Sequence, residues 1–159
     1  MIVADQLTEE APGAIHIGDE ELPWVSDQNG GEVKLLSAKI KEGLWIVRVR
    51  FAAGTRVQTH RHTGPVYAYT STGSWYYAES EYVNRAGSFL YEPAGSVHTL
   101  LVPETNTELT DVWFQIYGAN LNLDESGDVS SVTDATSILA WYRAAAKDIG
   151  WDNPRVLTD

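Results

Sequence analysis

The sequence predicts an all-β fold, a sandwich or small barrel, with one helix at its C-terminal end. Three observations carry this. From Gly31 onward, short runs rich in β-branched and aromatic residues are punctuated by glycine, proline and polar pairs. Several runs alternate apolar with polar side chains, as a strand with one buried face does. The apolar spacing changes to a helical period only after residue 134.

Taken in order, residues 1 to about 14 read as an irregular arm rich in acidic and turn residues. Glu32 to Ile40 reads as a strand, and Gly43 to Phe51 as a second whose end alternates apolar and basic residues. Ala53-Gly54 breaks it. Val57 to His62 is the next strand, turned by Thr63-Gly64-Pro65. Val66 to Thr70 and Ser74 to Ala78 form a hairpin around Ser71-Thr72-Gly73. Asn84 to Gly87 is a turn, Ser88 to Tyr91 a short strand, and Pro93-Ala94-Gly95 a tight corner. Val97 to Val102 and Leu109 to Tyr117 follow, separated by the polar loop Pro103 to Thr107. Leu121-Asn122-Leu123 and the stretch Asp124 to Val129 make a terminal hairpin. Ile138, Leu139, Trp141, Tyr142, Ala145 and Ile149 then recur at helical spacing, so a helix is expected over 134–149. Thr133 or Asp134 would cap its start and Gly150 its end.

The 159 residues suffice for a real hydrophobic core, and no linker or low-complexity stretch divides them, so 1–159 is expected to be a single domain. There is no cysteine, which excludes disulfides, thiolate metal sites and cysteine nucleophiles. Acidic residues number 22 against 11 basic, a net charge of -11 that disfavours nucleic acid and anionic lipid as partners. No basic segment followed by a long apolar run opens the chain, and no run is long enough to span a bilayer, so no membrane association and a cytoplasmic location are expected. Six tryptophans and eight tyrosines supply contact area for a core, an interface or an aromatic pocket.

The functional clue lies in the histidines. The chain has four, and three of them sit at spacings a metal can use. His60 and His62 are two apart on an expected strand and so face the same way. His98 follows the corner at Pro93. Neutral imidazoles from two strands can hold one ion and leave coordination positions open, which suits catalysis better than structure. His16, in the arm, is expected to be solvated or satisfied in the core.

The glycines and proline around these histidines sharpen the pattern. Gly54 precedes His60 by six residues and Gly73 follows His62 by eleven, while Gly87, Pro93, Gly95 and His98 form a second ordered set. These eight positions resemble the two motifs of the cupin superfamily, G-x5-H-x-H-x3-4-E-x6-G and G-x5-P-x-G-x2-H-x3-N. Val66 stands in place of the motif glutamate and Val102 in place of the final asparagine. The resemblance implies a cupin-type double-stranded β-helix, a jelly-roll barrel, with an all-histidine triad of His60, His62 and His98. Loss of the glutamate would leave the ion more net positive charge and more open positions, favouring a chelating anionic substrate.

A narrower likeness covers most of the chain. His60 to Thr70 and Tyr91 to Leu100 are similar to the 2,4'-dihydroxyacetophenone dioxygenase group of cupins, and the helix-bearing tail after Asp124 fits that group. Acetylacetone-cleaving dioxygenases are more distant relatives with a three-histidine iron site. In them a glutamate six residues before the third histidine lies behind the ligands, and Glu92 holds the matching place. The likeness implies non-haem Fe(II), O2, and oxidative carbon–carbon cleavage of a small-molecule ketone that chelates through a neighbouring hydroxyl or second carbonyl. Aromatic richness mildly favours an aryl ketone. Fold analogy also implies a homodimer or higher homo-oligomer.

Several residues keep two readings. Glu92 either caps the corner before Pro93 or pairs with a surface arginine, or else it orients a histidine or substrate through hydrogen bonds and could accept a proton from an enolising substrate. If parity holds through the Gly64-Pro65 turn, Val66, Ala68 and Thr70 face inward and Tyr67 and Tyr69 outward, towards a dimer interface. Trp75, Tyr76, Tyr77, Tyr91, Trp113, Phe114 and Tyr117 divide between pocket, interface and core. Gln115 lies on a solvated face or donates inside the pocket. Arg48 and Arg50 pair with acidic neighbours, or one meets a substrate anion. Rival functions are a zinc-dependent hydrolase, isomerase or cyclase, and a ligand-binding cupin without turnover.

Overall fold

The computed structural model describes residues 11–159. The first ten positions of the expected arm lie outside the described residues; residues 11–18 carry no regular secondary structure. A short 3-10 helix at Asp19–Glu21 leads into β1 (Val25–Ser26). The chain continues through β2 (Gly31–Lys39), a second 3-10 helix (Ile40–Glu42), β3 (Leu44–Phe51), β4 (His60–His62), β5 (Val66–Thr72) and β6 (Ser74–Tyr77). Then come β7 (Asn84–Arg85), β8 (Phe89–Glu92), β9 (Val97–His98), β10 (Leu100–Leu101), β11 (Thr110–Tyr117), β12 (Asn120–Leu123) and β13 (Val129–Thr133). Helix α1 (Ala135–Asp148) and β14 (Leu157–Thr158) finish the chain.

The fold is a jelly-roll sandwich whose sheets face one another without closing into one ring. A seven-stranded sheet runs β1-β2-β3-β11-β5-β8, with β14 added in parallel beside β2. Facing it are a four-stranded sheet, β13-β12-β4-β9, and a three-stranded one, β10-β6-β7. The core follows from strand alternation. Trp45, Val47, Val49 and Phe51 of β3 point inward with Val112, Phe114 and Ile116 of β11 and Val66 and Ala68 of β5. The phase therefore survives the Gly64-Pro65 turn. Tyr67 and Tyr69 face outward beside Tyr91, Phe89 and Trp113 in one exposed aromatic strip.

Helix α1 begins where the sequence says. Asp134 caps it, its side chain accepting the Ser137 N–H at 2.8 Å, and Gly150 follows the end at φ +92. Leu139, Tyr142 and Ala146 form its buried stripe, and the Tyr142 hydroxyl donates to the Pro23 carbonyl at 2.6 Å, tying the helix to the segment entering β1.

Five expectations change. The hairpin expected around Ser71-Thr72-Gly73 does not form, because β5 pairs with β8 and β11 in the large sheet while β6 pairs with β7 and β10 in the three-stranded one. The strand expected from Val57 starts only at His60, because Arg56 bridges to Leu101 in one sheet while His60 pairs with His98 in another. The strand expected over Val97 to Val102 splits at Thr99, whose N–H goes to the Glu79 carboxylate at 3.0 Å instead of a ladder. Asn84 and Arg85, read as a turn, pair with β6 as a two-residue strand. In the last hairpin, Asp124 Oδ1 accepts the N–H groups of Ser126 and Asp128, so Asp124 to Asp128 is the turn and the returning strand is Val129–Thr133. The two-residue strands β1 and β14 are too short to show in the sequence.

Candidate metal centre

Strand β4 is three residues long and carries both histidines of the His-x-His pair. Its alternation buries His60 and His62 and leaves Arg61 exposed. Antiparallel pairing sets His98 of β9 directly opposite His60. The corner before β9 is made by Gly95, at φ +88, whose N–H donates to the His62 carbonyl at 2.7 Å. That bond ties the second motif to the first, and the left-handed conformation favours glycine there. The ring centroids of the three histidines lie 4.8, 5.2 and 5.0 Å apart. One ring nitrogen from each falls within 4.8 Å of the others, so the cluster can hold one ion.

Protonation favours ligation. The Nδ1 of His60 lies 2.8 Å from the Gln58 carbonyl, so Nδ1 carries the proton and Nε2 presents its lone pair. Burial drives the His60 pKa down to about 4, which keeps the ring neutral at pH 7.

Glu92 completes the cluster. It is 3% exposed, and Oε2 lies 2.9 Å from His62 Nε2 and 3.4 Å from His98 Nε2. Burial works to raise its pKa, but His62, His98 and Tyr77 outweigh burial and bring it to about 2. Glu92 is therefore an anion, and it pairs with no surface arginine: it touches two of the three histidines. The β5–β8 ladder places it opposite Val66, so the carboxylate absent from the first motif is supplied by the adjacent strand.

Tyr77 acquires a defined place that its membership of the aromatic set did not reveal. It shares inward parity with Trp75 on β6. Its ring stacks on His98 at 3.8 Å between centroids and 8° between planes, and its hydroxyl donates to Glu92 Oε1. Burial, followed by the nearby Glu92 charge, raises the Tyr77 pKa well above the ordinary phenol range, so it remains a donor.

The donor set fits a cation. Glu92 Oε2, His98 Nε2 and His62 Nδ1 are buried and make no well-directed hydrogen bond with any described residue. Such orphans are rare in folded proteins and costly to leave unmet. Three nitrogens and a carboxylate with no sulfur suit iron or zinc equally.

Of these groups, His60, His62, Tyr77 and Glu92 line a cavity of about 250 Å3. Trp45, Val47, Val49, Phe51, Phe114 and Ile116 supply much of its apolar wall, and Asn120 and Asn122 add polar groups. Among the described residues, neither lysine nor arginine lines it. The remaining candidates fall elsewhere. His16 is exposed. Gln115 is on the outer sheet face and donates to the Tyr117 hydroxyl at 3.0 Å. Arg48 and Arg50 meet Asp111 outside the cavity. Phe114 lines the pocket, Trp75 is core, and Tyr91 and Trp113 are exposed outside. Asn120 and Asn122 drew no notice in the sequence, where only their place on the strand beside β4 could have revealed them.

A jelly-roll sandwich with three inward histidines on β4 and β9 defines a cupin. Within that class, the ChrR cupin-like domain family matches residues 12–115, and the chain belongs to it. Comparison with curated proteins gives no match. Among solved structures, a cupin-like protein of unknown function from Ralstonia eutropha JMP134 is 29% identical, with a TM-score of 0.85 and 94% of each chain covered. An RmlC-like cupin from the same organism is 26% identical, with a TM-score of 0.86, covering 96% of this chain and 98% of its own. The acetylacetone dioxygenase of Acinetobacter johnsonii shares the fold at 18% identity and a TM-score of 0.72, covering 85% of this chain and 93% of its own. No helix among the described residues is long and apolar enough to cross a membrane.

Proposed function

We propose that this chain is a metal-dependent dioxygenase that cleaves a carbon–carbon bond of a small chelating ketone. His60, His62 and His98 are the ligands and Glu92 is the general base. The observation that carries this is the convergence of three buried imidazoles and one buried carboxylate, with Glu92 Oε2 and His98 Nε2 unmet 3.4 Å apart, and with His60, His62 and Glu92 lining an apolar cavity that no described lysine or arginine borders. Bound Fe(II) would supply the electron chemistry with O2 that amino acids cannot.

The residues then divide the work. Ionised Glu92 accepts the proton that a ketone releases from the carbon beside its carbonyl. Tyr77 holds Oε1 of that carboxylate, leaving Oε2 to face the histidines and the substrate. Because no described lysine or arginine lines the wall, a substrate enters neutral and its negative charge develops only beside the histidine cluster. Trp45, Phe51 and Phe114 offer flat apolar surface to the rest of the molecule, which supports an aryl ketone of the kind used by the dihydroxyacetophenone dioxygenase group. The volume, near the low end of ligand sites, favours a compact one.

The test is an oxygen-electrode screen of β-diketones and α-hydroxyketones with anaerobically purified, Fe(II)-loaded protein. Expected are O2 uptake matched by carboxylate products, and its loss in His60→Ala, His62→Ala and His98→Ala proteins that keep their fold. Turnover by the zinc-loaded protein, unaffected by excluding oxygen, would establish the hydrolase, isomerase or cyclase reading instead.

A further inference from the structure

We propose that Asn120 determines which ketone the cavity accepts, by taking a hydrogen bond from a hydroxyl that the ligand carries away from its chelating oxygens. This rests on the ketone reading above and narrows it.

Position comes first. Strand β12 pairs antiparallel with β4, placing Asn120 opposite His62 and Asn122 opposite His60. Cross-strand partners share a face, so both amides stand beside the ligand strand, and both border the cavity.

The two asparagines differ in what they have left to give. Asn122 spends its amide N–H groups on Ser131 Oγ at 3.0 Å and Thr133 Oγ1 at 3.1 Å. Those bonds fix its orientation and tie the hairpin together. Asn120 has no such anchor: its Oδ1 is buried and accepts no hydrogen bond from any described residue. A buried acceptor left unpaired is unfavourable, and a ligand donor relieves the penalty. Water can serve in an empty cavity, but a ligand that displaces the water without replacing its hydrogen bond loses affinity. Sites built this way reject analogues that lack the matching group.

The chemistry of the partner follows. An acceptor selects an O–H or N–H. A deprotonated β-diketone offers only acceptor oxygens and carbon-bound hydrogens, so by itself it leaves Asn120 unmet. The donor is neutral in kind, since an amide recognises it where an aspartate would recruit a cation. The preferred ligand is thus a chelating ketone with a further hydroxyl.

The test uses zinc-loaded protein under anaerobic conditions, so that binding is read without turnover. Calorimetry compares benzoylacetone with its three derivatives bearing one hydroxyl on the ring, ortho, meta or para. At least one isomer is expected to bind about tenfold more tightly than the parent. Asn120→Leu should erase that preference, with Asn120→Ala as the substitute if leucine does not fit. Asn120→Asp, which keeps the acceptor, should retain it. Equal affinity of all four ligands for the unaltered protein, or a preference that survives Asn120→Leu or Asn120→Ala, would overturn the assignment. A preference lost in Asn120→Asp would also overturn it, because the amide would then be donating. Failure of every ligand to bind would instead bring down the ketone reading, and the role of Asn120 with it.

Discussion

Two buried carboxylates on opposite faces of the large sheet meet basic neighbours in different ways. Asp111, 5% exposed, takes a two-pronged bond from Arg48, Nε to Oδ1 at 2.9 Å and a terminal nitrogen to Oδ2 at 2.7 Å, with Arg50 beside it at 3.6 Å. Trp24 lies over the Arg50 guanidinium at 3.8 Å. Glu92, 3% exposed, has one oxygen held by Tyr77 and the other facing two imidazoles without a well-directed bond. The outer cluster is complete within the chain and serves as a structural clasp. The inner cluster is incomplete: Glu92 Oε2 and His98 Nε2, 3.4 Å apart, are both left without a well-directed bond from any described residue. Burial alone does not distinguish a functional carboxylate from a structural one; the unfinished hydrogen bonding does.

Removing each partner separates the two. Asp111→Ala takes from Arg50 its carboxylate and leaves Arg48 only Asp19 at 3.5 Å, and should lower unfolding free energy by about 3 kcal/mol while leaving metal content unchanged. Denaturant titration and elemental analysis on the same sample check both halves.

Acid should weaken the inner cluster through His60. The folded pKa of His60 is depressed from 6.5 to about 4, so the unfolded chain binds the extra proton between those values. The corresponding stability is fully present above pH 6.5 and is lost as pH falls through 4. The shift is worth about 3 kcal/mol. Denaturation of metal-free protein at pH 7.5 and 4.5 measures it, and His60→Leu should flatten that dependence.

Smaller effects concern the metal alone. Glu92→Gln keeps shape but removes the charge that faces His62 and His98, and metal affinity should fall 10- to 100-fold. Unaltered affinity by competition with a chelator would return Glu92 to the same structural class as Asp111. Tyr77→Phe keeps the stack on His98 and loses only the bond to Glu92, so a few-fold weakening of metal affinity is expected, about 1 kcal/mol. A loss larger than that of Glu92→Gln would reverse the assigned order of the two residues.

Much of this was legible in the chain because strand alternation and motif spacing are local. His60 and His62 face one way by parity, and the Pro93 to Gly95 corner brings His98 into line. Asp134 and Gly150 bound the helix by their own chemistry. Tyr67 and Tyr69 turn outward by the parity that buries Val66. The rest depends on which strands become neighbours. Tyr77 reaches His98 from another sheet, Glu92 lies opposite Val66 only through the β5–β8 register, and Asn120 faces His62 only because β12 pairs with β4. No local pattern encodes those pairings. Thr99, whose N–H leaves the ladder for Glu79, could not be foreseen from β propensity either.

The most direct measurement is metal stoichiometry after anaerobic reconstitution with Fe(II), on the unaltered chain and on His60→Ala, His62→Ala and His98→Ala. Convergence of the three imidazoles predicts one tightly held ion per chain in the first and none retained after dialysis in the others. An ion kept at full occupancy by any two of the three variants would contradict a shared site.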